Sequence, residues 1–150
     1  MKKILYAILV CLTLSSCGTV RLYDWGGYRN VMKKDVTKYE DLIYKNYHNQ
    51  TPESICDLLC LYDKMVTNPG GDRGIVPPGI YAEYGYLLLL PETSSIFDQY
   101  ATTRQKKALG MSDYSTTFYE KGILMLKKEV ELYPEAAKFI EPLIKKLSKK

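Results

Sequence analysis

Past residue 30 the apolar positions of the chain recur at helical intervals. Val31 or Met32, then Val36, Tyr39, Ile43 and Tyr47 fall on one side, with Lys33, Lys34, Lys38, Glu40, Asp41 and Lys45 opposite, which predicts an amphipathic helix starting as early as Tyr28. Thr51-Pro52-Glu53 then supplies an N-cap, a proline at the first helical position and an early acid, and Ile55, Leu59, Tyr62 and Val66 continue a second helix to about Thr67. Asn68-Pro69-Gly70-Gly71-Asp72-Arg73-Gly74 is a break rich in turn residues, after which Pro77-Pro78-Gly79 opens a third element. That element, residues 80–90, is apolar on every side except for Glu83, the pattern of a helix covered on several sides, and it is expected at the centre of the fold.

Downstream, Thr93-Ser94-Ser95 reads as the cap of a fourth segment carrying Ile96, Phe97, Tyr100, Ala101 and Ala108, which Gly110 stops. Ser112-Asp113 starts a fifth, where Tyr119, Ile123, Leu126, Val130 and Tyr133 form an apolar stripe opposite Glu120, Lys121, Lys127, Lys128 and Glu131. A last helix follows Tyr133-Pro134-Glu135, with Ala136, Phe139, Ile140, Leu143 and Leu147 expected inward and Pro142 as a kink. The predicted class is all-α.

The first 17 residues follow a different rule. Met1-Lys2-Lys3 is basic, residues 4–14 are almost wholly apolar, and Leu14-Ser15-Ser16-Cys17 has the small-small-Cys form of a bacterial lipobox. The apolar run is shorter than the roughly 20 residues that a spanning helix needs, so it reads as an address removed by cleavage. Residues 1–16 are therefore the expected lipoprotein signal peptide, Cys17 the lipidation site, residues 17–24 a lipidated tether and residues 25–150 one helical domain. Acyl chains at about 0.8 kcal/mol per buried methylene would hold such a chain on a bilayer. Gly18 follows the Cys where an inner-membrane retention signal would carry Asp, and Gly18-Thr19-Val20-Arg21-Leu22 has no acidic run, so the expected location is the outer membrane, facing the periplasm. The tether from Cys17 to Trp25 spans at most about 28 Å, which keeps the body against the membrane.

Composition and charge narrow the function. Of the formal net charge of +4, Lys2 and Lys3 leave with the signal peptide, and the remainder is far from the dense basic footprint of a nucleic-acid binder. A single histidine, His48, leaves little material for acid–base or nucleophilic catalysis, and no Gly-x-Ser-x-Gly elbow is present. Cys56 and Cys60 lie four apart on one helix, a poor geometry for a disulfide, so both are expected as reduced, packed thiols. With His48 they would make three metal ligands, but no fourth is spaced to join them, so no metal and no cofactor is expected. Glu40, Asp41, Glu120, Glu129 and Glu131 are expected on solvated faces, whereas Glu83 must find a partner such as Arg73 or a tyrosine hydroxyl. The basic end, Lys145, Lys146, Lys149 and Lys150, suits a helix C-terminus. Only Tyr6 of the 14 tyrosines precedes Cys17, so the domain is rich in a side chain that suits both the shell of a small core and a binding surface.

Tyr81, Tyr84, Gly85 and Leu88 resemble the first helix of a tetratricopeptide repeat, and Gly122, Leu126 and Pro134 resemble the second. Gly85 and Pro134 stand 49 positions apart, about 25 more than in a standard repeat, so residues near 90–114 read as an insertion in a degenerate repeat hairpin. Three blocks also resemble a family of bacterial lipoproteins that carries only a domain-of-unknown-function label. They are Leu22-Tyr23-Asp24-Trp25-Gly26-Gly27-Tyr28, the run from Val76-Pro77-Pro78-Gly79 through Tyr81, Tyr84, Gly85, Tyr86 and Leu87, and Leu132-Tyr133-Pro134-Glu135. The resemblance implies no enzymatic activity and an envelope setting beside lipoproteins that are similar to the curli-assembly pore-former and to peptidoglycan-synthase activators.

Two functions are expected from these features. In the first, the protein is a non-catalytic, lipid-anchored interaction subunit, bound to the membrane through Cys17 and to other envelope lipoproteins through Trp25, Tyr28, Tyr81, Tyr84 and Tyr86, with no nucleic acid and no small-molecule ligand. In the alternative it is a carrier whose apolar third helix lines a cavity for an acyl chain or peptide.

Overall fold

The computed structural model describes residues 21–26, 38–110 and 113–147. The signal peptide, Cys17, Tyr28 and the expected start of the first helix lie outside the described residues. Seven α-helices and one 3-10 turn make up the described fold: α1 (Lys38–Asn49), α2 (Pro52–Thr67), α3 (Ile80–Leu89), α4 (Thr93–Tyr100), α5 (Thr103–Leu109), α6 (Tyr114–Leu132), the turn Pro134–Ala136 and α7 (Ala137–Leu147). No strand occurs among the described residues, in agreement with the all-α expectation.

The helix starts follow from local chemistry. Thr51 caps α2, its hydroxyl accepting from the Ser54 N–H at 3.2 Å, with Pro52 at the first position. The Asp113 carboxylate accepts from Ser115 and Thr116 N–H groups at 3.2 and 3.4 Å and caps α6. Gly110 closes α5 in a left-handed conformation. One cap is misplaced in the sequence reading. Thr93 sits inside the first turn of α4 and is buried, and its hydroxyl makes no hydrogen bond, while the flanking cap position is Glu92. The fourth segment is also two helices, because Thr102 starts a capping box with Gln105 that restarts the chain as α5.

α3 and α6 form the most extensive pairing of the fold, antiparallel and close. A Cβ on Gly85 would lie 2.8 Å from the Gly122 carbonyl oxygen, and one on Gly122 would lie 2.6 Å from Leu89 Cγ. The two glycines therefore permit the backbone approach, as their spacing suggests. α2 packs on α1, α3, α4 and α5 and buries Cys56, Leu58, Leu59, Leu61, Tyr62 and Met65. Residues 90–114, expected as an insertion, are not peripheral: Phe97 stacks with Tyr114 and Phe118 at 5.1 and 5.6 Å, and Leu109 is buried.

The apolar stripes of α6, α7 and α1 fall only in part where expected: Leu126 and Tyr133 of the expected α6 stripe are buried. The core face of α6 is Tyr114, Phe118, Gly122, Met125, Leu126 and Glu129, whereas Tyr119 is exposed and donates to the Leu147 carbonyl at 3.2 Å, tying α6 to α7. Ile123 and Val130 are half-buried, and the close approach at Gly122 decides which face meets the core. α7 continues through Pro142 and has no buried residue, and Phe139, expected inward, is 69% exposed. On α1, Tyr47 is exposed as well, and only Leu42 is buried.

Candidate functional site

The segment Arg21–Gly26, expected as a free tether up to residue 24, is docked on the glycine-rich loop between α2 and α3. Asp72 and Arg73 N–H groups donate to the Arg21 and Leu22 carbonyls at 2.8 and 3.1 Å. Gly71 makes this possible, since a Cβ there would lie 2.6 Å from the Leu22 carbonyl oxygen and its φ is +78°. Arg73 packs over the Tyr23 ring and donates to its hydroxyl. Tyr133 donates to the Val76 carbonyl, three positions on from Arg73 in the same loop. Burial first, then the neighbouring Tyr23, pushes the Tyr133 phenol up to about 12, so Tyr133 keeps its proton at physiological pH.

From this docked segment an aromatic ladder runs into the molecule. Trp25 packs on Tyr39 at 5.3 Å, Tyr39 on Tyr62 at 6.2 Å and Tyr62 on Tyr84 at 5.7 Å. The Glu83 carboxylate accepts the Tyr39 and Tyr62 hydroxyls at 2.6 and 2.7 Å, the tyrosine partnership expected for this one acid on an apolar helix. Asp63 accepts the Tyr84 hydroxyl at 3.0 Å and pairs with Lys121, whose ammonium also stands over the Tyr84 ring. Burial, reinforced by Glu83 for Tyr39 and Tyr62 and by Asp63 for Tyr84, raises all three phenols well above their ordinary range. These tyrosines are hydrogen-bond donors and ring surfaces, not acids or bases.

The expected partner residues divide accordingly. Tyr84 is fully buried and Tyr81 is 6% exposed, so the expectation that they face a partner is corrected: α3 is covered by α2 and α6, and their rings fill the core. Trp25 and Tyr86 remain at the surface, 37% and 52% exposed. They belong to one strip, because Trp25 packs on Tyr39, Tyr39 bonds Glu83, and Tyr86 follows Glu83 by one turn of α3. Tyr39, expected on the apolar side of the first helix, is half-buried and links Trp25 to Glu83. Its role depends on Glu83, a partner too distant in the sequence for periodicity to reveal.

Glu129 was expected in solvent and is 2% exposed. Its carboxylate accepts the Gly79 N–H at 2.8 Å and the Ala82 N–H at 3.3 Å, capping α3, whose own cap residue is a glycine without a side chain. Burial raises its carboxyl above the ordinary value, against the pull of these N–H donors.

Cys56 is buried and Cys60 half-buried, and both are free thiols, with burial first pushing them up to about 11 and about 12. Among the described residues no group of three His, Cys, Asp or Glu could hold a metal ion, and no helix is long and apolar enough to cross a membrane. A cleft of about 370 Å³ lies beside α4 and the start of α6, lined by Ser94, Ser95, Asp98, Asp113, Tyr114 and Ser115. That lining mixes polar and apolar surface and takes nothing from α3. Comparison with known proteins finds no protein-family model, no curated protein and no solved structure that matches this chain.

Proposed function

We propose that the protein is a lipid-anchored, non-catalytic interaction subunit of a cell-envelope complex. It is held by Cys17 in the outer membrane, faces the periplasm and binds other envelope lipoproteins. The observation that supports this reading best is the strip that runs from Trp25 through Tyr39 to the Glu83 carboxylate, with the exposed Tyr86 one helical turn further on. Aromatic anchors beside a polar group have the make-up of a protein-binding surface. The finer fold reading is a degenerate tetratricopeptide-like hairpin of α3 and α6, supported by the Gly85 and Gly122 approach and by α6 ending before Pro134. The carrier reading draws less from the structure, because α3 spends its apolar side chains on the core.

The full lipidated chain, used to capture proteins from detergent-solubilised envelope, tests this. Tyr86→Ala and Trp25→Ala each remove an exposed anchor and should weaken capture at least about 30-fold, the equivalent of about 2 kcal/mol, with melting temperatures little changed. His48→Ala should have no effect. Capture by folded Tyr86→Ala and Trp25→Ala variants at the strength of the unmodified chain would remove the strip from the account.

A further inference from the structure

The end of the molecule next to the lipid site carries exposed apolar side chains that no contact within the fold explains. Leu22, Leu132 and Phe139 are 54%, 39% and 69% exposed. They flank one loop. The Leu22 carbonyl and the Tyr23 hydroxyl both accept from Arg73, Leu132 precedes Tyr133, which donates to the Val76 carbonyl of the same loop, and the turn Pro134–Ala136 carries the chain from Tyr133 into α7, where Phe139 is in the first turn with Lys138 packed against its ring. Arg21, whose carbonyl is fixed on the loop by Asp72, is only four positions beyond Cys17, so an acylated Cys17 can lie no more than about 14 Å from this end.

From this placement we infer that the Leu22–Leu132–Phe139 end seats in the headgroup and upper acyl region of the bilayer that holds the lipid anchor, an inference that rests on the lipid-anchor reading above. Apolar contact selects the bilayer here, because the charges at this end, Arg21, Arg73 and Lys138 against Asp72, Glu131 and Glu135, are of both signs. The seating leaves Tyr86 clear of the lipid. It lies seven residues up α3 from Gly79, about 10 Å along the helix from the end that Glu129 caps. The lipid-anchored chain is thereby oriented as well as tethered, with its aromatic strip held beside the membrane.

Trp25 is the single tryptophan, so the seating can be read by fluorescence. The full lipidated chain is prepared as Trp25→Phe with either Phe139→Trp or Tyr86→Trp and reconstituted into phosphatidylcholine vesicles with plain or brominated acyl chains. Circular dichroism confirms folding, and mass spectrometry reads the acyl groups on Cys17. Seating predicts that the tryptophan at position 139 loses at least about half its emission to brominated lipid while that at position 86 is little affected. An acylated, vesicle-bound chain quenched no more at 139 than at 86 overturns the seating and leaves the anchor standing. A chain without acyl groups overturns both.

Discussion

Gly85→Leu should leave the chain unable to fold, and Gly85→Ala should lower its stability by about 1–3 kcal/mol. The smaller substitution sets two effects against each other. Alanine gains about 1 kcal/mol of helix propensity over glycine in a helix interior. Its Cβ, however, would stand 2.8 Å from the Gly122 carbonyl oxygen and 3.0 Å from Leu126 Cγ, and the first of these is backbone that cannot rotate away. α3 and α6 must then separate along their whole contact, which loosens Leu88, Leu126 and the rings packed behind them, so the steric cost wins. Denaturant titration checks this. Gly110→Ala is a useful comparison, since nothing lies within 4 Å of a Cβ there and the change costs only the strain of its positive φ of 63°. Gly85→Ala at unmodified stability would mean that the two helices do not approach as described.

Glu129→Ala should cost about 3 kcal/mol, the second large effect. The substitution removes the acceptor for Gly79 and Ala82 N–H groups at a helix start with no side-chain cap of its own, and it leaves a cavity under α3. Glu129→Gln keeps an acceptor oxygen and should recover most of the loss. The unmodified chain and the Glu129→Gln variant also differ in pH response, because only the carboxyl titrates. Because burial raises the folded-state carboxyl, the unfolded chain ionises first as pH rises, so this group's contribution to stability is largest below the usual carboxylate range. It declines as pH rises toward the elevated folded value. Subtracting the Glu129→Gln profile from that of the unmodified chain should show this decline, whereas a difference independent of pH would place Glu129 in solvent.

How far these features were legible depends on the distance between interacting residues. Thr51-Pro52 and Asp113 announce their helices because a cap and its N–H partners lie within one turn. Gly85 and Gly122 stood out in the sequence because both fall at repeat-like spacing, where a small residue on each of two paired helices lets their backbones approach. Glu129 was not, since its partner is a bare helix start 50 positions away and its neighbours Lys127, Lys128 and Glu131 are those of a solvated face. Periodicity found that α6 is amphipathic and placed Leu126 and Tyr133 inward, but it chose Tyr119, Ile123 and Val130 over Phe118, Gly122 and Met125, because both rows recur at helical spacing and only packing on α3 separates them. The candidate site shows the same limit. Trp25 and Tyr86 stayed at the surface, while Tyr81 and Tyr84, chosen by the same resemblance, went to the core with the covered faces of α3.

The central claim, that the fold is carried on a lipid anchor at Cys17, is tested most directly by metabolic labelling with a fatty acid followed by envelope fractionation. The account predicts that the unmodified chain is labelled, cleaved before Cys17 and recovered with the outer membrane, and that Cys17→Ala is unlabelled and remains as the longer precursor. Equal labelling of both chains, or an unlabelled unmodified chain recovered in the soluble periplasmic fraction, would contradict it.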